Sequence, residues 1–138
     1  MEIKAADVKK LRDKTGAGMM DCKKALTQAE GDFAAAERIL KEMGLAAAEK
    51  RSGRATNEGR VFTKVEGSKA GMLELSCETD FVARNKDFIA LGNTMLDRML
   101  TEGLDENSEE VQTMVQEAIG TIKENMGVRR FKLLEKKE

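Results

Sequence analysis

Histidine, tryptophan, tyrosine and proline are all missing from these 138 residues. The missing histidine excludes the most. It removes Ser-His and Cys-His nucleophilic pairs, imidazole acid–base catalysis and every zinc site built with a histidine. Cysteine is scarce: Cys22 and Cys77 stand far apart, with no C-x-x-C pair. Two thiols cannot close a structural zinc site, and no disulfide framework is expected, which suits a reducing cytoplasmic compartment. No metal site and no cofactor are expected. Phenylalanine is the sole aromatic, at five copies, so the core must come from Leu, Ile, Val, Met and Ala. No apolar run nears the roughly 20 residues that span a bilayer. No apolar h-region follows Met1 either, so neither a membrane span nor a secretory signal is expected. An excess of one charge is lacking too: 24 basic residues face 25 acidic ones, for a net charge of -1. A dedicated nucleic-acid binder usually carries a basic excess, so no direct nucleic-acid contact is expected.

What is present is periodicity. Residues 5–14 read as a short helix with Val8 and Leu11 at i, i+3 spacing, stopped by Gly16 and Gly18. Residues 19–31, MMDCKKALTQAEG, resume a helix with Met19, Cys22, Leu26 and Ala29 on one face, and Gly31 ends it. Asp32 is a fitting N-cap for FAAAERILKEMG, where Phe33, Ala36, Leu40 and Met43 form a stripe and Gly44 ends the run. Three helices joined by glycine turns predict a bundle over residues 1–52. LAAAEKRSGRATNEGR then passes from a helix-prone half into a polar linker carrying Lys50, Arg51, Arg54 and Arg60.

VFTKVEGSKAGMLELSC predicts a β-hairpin. Val61, Thr63 and Val65 share one face of its first strand; Leu73, Leu75 and Cys77 share one face of its second. From Phe81 the period turns helical, through Phe88, Leu91, Met95, Leu96 and Met99. TEGLDENSE breaks it. Ser108, with Glu109 and Glu110, opens a second helix carrying Val111, Met114, Val115, Ala118, Ile119, Ile122 and Met126, ended by Gly127. VRRFKLLE reads as a short third strand with Phe131 and Leu133 on one face. Residues 53–138 are thus expected to fold as β-β-α-α-β around a small three-stranded antiparallel sheet. The chain as a whole is α+β.

Four stretches could carry chemistry. TGAGMMDCKKAL places a G-x-G before a helix, but no strand precedes it and no GK[ST] follows, so a helix–helix turn is the better reading. Met19 and Met20 stand together at that helix start. One can face the bundle core and the other is expected outside, where methionine suits an adaptable contact surface; core packing of both is the competing reading. RSGRATNEGR has no interleaved aromatic to stack on a base, so its arginines read as solvated. Cys77, Glu78 and Asp80 could be imagined as a thiol–carboxylate site or as paired metal ligands. No base is present to form the thiolate, so Cys77 reads as a small buried apolar residue. That leaves CETDFVARN. Thr79 or Asp80 suits a helix cap, and Phe81 is either a core residue of the first turn or an exposed wedge.

VKKLRDKTGAGMMDCKKAL at 8–26, CETDFVARN at 77–85 and IKENMGVRRFKLLE at 122–135 together resemble the elongation factor Ts family. That resemblance implies a ubiquitin-associated-like (UBA-like) bundle over residues 1–52 that docks on elongation factor Tu, with Met19 and Met20 in its surface. It implies a core subdomain over residues 53–138. It also implies that Thr79, Asp80, Phe81 and Val82 wedge between helices of the partner, beside the Mg²⁺ of its bound GDP. The implied activity is guanine-nucleotide exchange, through contact with the GDP-bound and nucleotide-free partner and without covalent chemistry. A docking module that binds without exchange is the alternative. Longer members carry a second core subdomain, a helical hairpin and a C-terminal module that these residues do not reach. A homodimer formed by pairing two sheets is expected to rebuild the larger core.

Overall fold

The computed structural model describes residues 2–137. Three helices come first: α1 (Ala5–Thr15), α2 (Met19–Gln28) and α3 (Phe33–Arg51). Gly16 ends α1 in the left-handed conformation at φ 74°, and its N–H returns to the Arg12 carbonyl. This is a position where any Cβ would be strained. Asp32 caps α3 by accepting from the Ala34 and Ala35 amides. Leu11, Cys22, Ala25, Leu26 and Ala36 form the bundle core, with Phe33 and Leu40 packed on its margin.

Helix α3 does not end at Gly44. It runs on for 19 residues, to Arg51, so Lys50 and Arg51 are helical rather than part of a linker. The reason is tertiary. A Cβ built on Gly120 of α6 (Glu109–Ile122) would lie 2.8 Å from the Gly44 Cα. Two glycines let the helix backbones nearly touch, and that contact outweighs the modest helix penalty of glycine.

Strands β1 (Glu58–Glu66), β2 (Lys69–Cys77) and β3 (Met126–Glu135) form an antiparallel sheet in the order β1-β2-β3. Register places Phe62 opposite Leu73, and Leu73 opposite Phe131. These side chains, with Leu75 and Cys77, cover helices α5 (Lys86–Glu102) and α6 through Phe88, Met95, Leu96, Met99, Val111 and Val115. The α+β class is as the pattern predicts. Val61, Thr63 and Val65 share one face of β1, and it is the solvent face; Phe62 is buried on the other. Its ring lies on Gly92 of α5, where a Cβ would come within 2.1 Å of Phe62 Cζ.

Two further boundaries differ from the pattern. The helical stretch from Phe81 is split into α4 (Asp80–Ala83) and α5, because Asn85 caps a new helix by accepting from the Asp87 amide at 2.7 Å. Helix α6 ends at Ile122, where Lys123 turns left-handed at φ 69°. Met126 therefore opens β3 opposite Cys77 instead of closing a helix. Among the described residues no helix is long and apolar enough to cross a membrane.

Candidate functional site

The β2–α4 junction is tied by side-chain hydrogen bonds from within and from a distant segment. The Thr79 hydroxyl accepts from the Val82 amide at 3.3 Å, so Thr79 is the N-cap of α4. Asp80 is the first helical residue rather than the cap. Its carboxylate pairs with the Arg84 guanidinium at 3.2 Å, on the surface. The cap falls on Thr79 because that residue alone is extended, at φ -126° and ψ 156°, as N-cap geometry requires.

Beneath the turn sits Glu124, from the connection between α6 and β3. Its Oε1 accepts the amides of Glu78 and Thr79, each at 3.1 Å. Its Oε2 accepts the Thr79 hydroxyl at 2.7 Å. In the reverse sense, the Glu78 carboxylate accepts the Asn125 amide at 2.6 Å and lies 3.6 Å from the Arg54 guanidinium. Asn125 donates its side-chain amide to the Arg54 carbonyl at 2.7 Å. On the far side of α4, Arg60 Nε donates to the Ala83 carbonyl at 3.1 Å. Arg60 belongs to β1, so it is a strand residue pinning α4 and not a linker residue.

On this held turn Phe81 is 83% exposed. Val82, next to it, is half-buried against the sheet core, and Ala83 is buried. The core reading of Phe81 therefore does not hold. Its ring stands outward from a four-residue helix capped by Thr79 at Val82 and pinned by Arg60 at the Ala83 carbonyl. Met19 and Met20 open α2 behind Gly18. They are 44% and 76% exposed, so neither joins the bundle core. Met19 stands on the same helical stripe as Cys22 and Leu26, but at the first position of α2 it stays exposed while those two are buried.

The thiols are poor nucleophiles. Burial, and then the Glu124 charge, push the Cys77 thiol up to about 11, and its S–H donates to the Thr79 carbonyl at 3.2 Å. Burial raises Cys22 as well. Among the described residues no group of three or more His, Cys, Asp or Glu is gathered to hold a metal ion. Glu124 and Asn125 escape sequence reasoning, and Glu78 is weighed there only as a thiol–carboxylate or metal-ligand candidate, not as a brace of the turn. Their carboxylate and amide types are ordinary, and Thr79 and Glu124 are 45 positions apart.

The fold and the turn define a class: a small α+β protein presenting rigidly held, exposed apolar side chains, which is the geometry of a protein-contact surface. The family profile described as Elongation factor TS matches residues 78–138, beginning at the turn itself. Proteins named Elongation factor Ts are similar over nearly the whole chain. That of Borrelia duttonii (strain Ly) is 50% identical over 93% of this chain and 46% of its own length. That of Treponema denticola is 50% identical over 95% of this chain and 47% of its own. That of Treponema pallidum (strain Nichols) is 49% identical over 97% and 49%. The chain belongs to the elongation factor Ts family. It spans about half the length of the curated relatives it matches.

Proposed function

We propose that this chain serves translation elongation in the cytoplasm as a guanine-nucleotide exchange factor for elongation factor Tu, binding both the GDP-bound and the nucleotide-free partner. The observation that carries this reading is Phe81, 83% exposed on a turn whose backbone is clamped from both sides. On a fixed turn the backbone has little freedom left to lose on binding, so only the side-chain torsions of Phe81 remain to be ordered. Driven between two helices of the partner, it would shift them. Mg²⁺ beside the GDP phosphates requires near-ideal octahedral geometry at about 2.0–2.1 Å, so a small shift weakens its hold. Asp80, with an exposed carboxylate, supplies hydrogen-bond acceptors across the same interface, while Thr79 and Val82 hold the wedge from below. Met19 and Met20 form a second, adaptable contact. A factor that prefers the nucleotide-free partner must, by linkage, weaken GDP in the complex by the same factor. The residues at work are thus contact residues, and no step forms or breaks a bond on this chain.

The outer face of the sheet exposes Val61, Val65, Met72 and Leu134. This patch supports a homodimer in which two sheets pack face to face. A monomer mass in sedimentation at micromolar concentration would count against it. One rival reading is a docking module that binds elongation factor Tu without speeding GDP release. Measuring GDP release and binding side by side separates the two: binding without acceleration selects the docking module.

A further inference from the structure

We infer that Glu124 is a positioning residue for the Asp80–Phe81 wedge, acting through Thr79. This rests on the exchange reading for its functional part. The geometry is independent of that reading. A four-residue helix cannot stabilise itself, since nucleation fixes several residues for one hydrogen bond. Phe81, with its ring in solvent, has almost no packing to hold it. Its direction is therefore set by the backbone beneath. Glu124 supplies three of the bonds that fix that backbone, two to consecutive amides and one to the Thr79 hydroxyl.

The hydroxyl bond does more than add a contact. A threonine hydroxyl has one proton. Once that proton points at Glu124 Oε2, only lone pairs remain to meet the Val82 amide. The carboxylate thus orients the cap. Charge-assisted bonds of this kind are about twice as strong as neutral ones. Glu78 reciprocates on the Asn125 amide, so the two segments hold each other by an exchanged pair of carboxylates.

The test uses Glu124→Ala, Glu124→Gln, Phe81→Ala and the Glu124→Ala/Phe81→Ala double variant, in the full chain. Amide hydrogen exchange by NMR is read at Glu78 and Thr79, and at Leu73 and Met95 in the core. Fluorescent GDP release from elongation factor Tu is read as a maximal rate and a half-saturating concentration. In Glu124→Ala, protection at Glu78 and Thr79 is expected to fall about tenfold or more, while Leu73 and Met95 keep theirs. The maximal rate falls about tenfold with a smaller change in half-saturation. Glu124→Gln, whose carbonyl still accepts both amides, restores most of each. In the Phe81→Ala background Glu124→Ala costs much less than in wild type, because most of its effect passes through the ring.

Unchanged protection at Glu78 and Thr79 would overturn the inference. So would equal loss at Leu73 and Met95, which would make Glu124 a prop of the whole core. Multiplying effects in the double variant, or no rescue by glutamine, would do the same. If wild type fails to accelerate GDP release, the exchange reading falls, and the amide exchange still decides whether Glu124 holds the turn.

Discussion

Thr79→Val keeps nearly the same side-chain shape and removes one hydroxyl. That hydroxyl caps α4 at Val82 and donates to Glu124. Loss of a threonine cap costs about 0.5–2 kcal/mol, and a hydrogen bond to a charged group contributes about 1.5–3 kcal/mol. The two share one atom and do not add fully. Water can also reach part of the half-buried Glu124. The expected destabilisation is about 2–4 kcal/mol. For a chain of this length that lowers Tm by roughly 6–16 °C, at about 3–4 °C per kcal/mol. The assay is urea unfolding, with the midpoint shifted and the slope unchanged, checked by a thermal melt. Asp80→Ala is the control. Its carboxylate makes one exposed i,i+4 pair with Arg84, worth about 0.3–0.5 kcal/mol, plus a favourable term at the helix N-terminus of about 0.3–1 kcal/mol. Its loss is expected to stay near 1 kcal/mol or below. A Thr79→Val effect under about 0.5 kcal/mol, or an Asp80→Ala effect exceeding it, would refute the assignment of the cap.

Three further expectations concern the scaffold. Gly92→Ala drives a Cβ to 2.1 Å from the Phe62 ring, an overpacking that costs about 1–3 kcal/mol by urea midpoint; Phe62→Leu alongside it should recover part. The Gly44–Gly120 crossing is asymmetric: Gly120→Ala meets backbone at 2.8 Å and should destabilise, whereas Gly44→Ala finds its nearest atom at 3.7 Å. Gly44→Ala should therefore be neutral or stabilising by up to about 1 kcal/mol. For Cys77, the folded thiol is held up to about 11 against an ordinary value of 9.0. The folded chain thus keeps its proton where the unfolded chain loses it. Stability contributed by this group is full below pH 9 and declines as pH rises from 9 to 11, and thiol-reagent labelling at pH 8 should be slow until urea unfolds the chain.

Local signals carried much of the fold. Asp32 marks the start of α3, and Gly16 marks the end of α1, because caps and left-handed turns depend on a few adjacent residues. The alternation of Leu73, Leu75 and Cys77 marks the inner face of β2, because that strand lies at the sheet centre with its partners on both sides. Where local signals mislead, a distant residue decides. Gly44 looks like a stop, and Gly120 makes it a crossing point. The shared face of Val61, Thr63 and Val65 leaves open which side of β1 is buried, and the space left by Gly92 admits Phe62 on the other. At the turn, Thr79 and Asp80 are both competent caps, and a one-residue phase separates the two roles. The sequence poses the question of Phe81 without deciding between core and surface; its exposure decides it. Glu124 has no local signature at all, because its partners lie on another part of the chain.

The most direct measurement is the release of fluorescent GDP from elongation factor Tu, with and without this protein, beside Phe81→Ala. Phe81 is almost fully exposed, so the variant should unfold at the same urea concentration as wild type. The account predicts acceleration by wild type and its loss in a variant that remains folded. Acceleration undiminished by Phe81→Ala would contradict the wedge, and no acceleration by wild type at saturating concentration would contradict exchange activity in this chain.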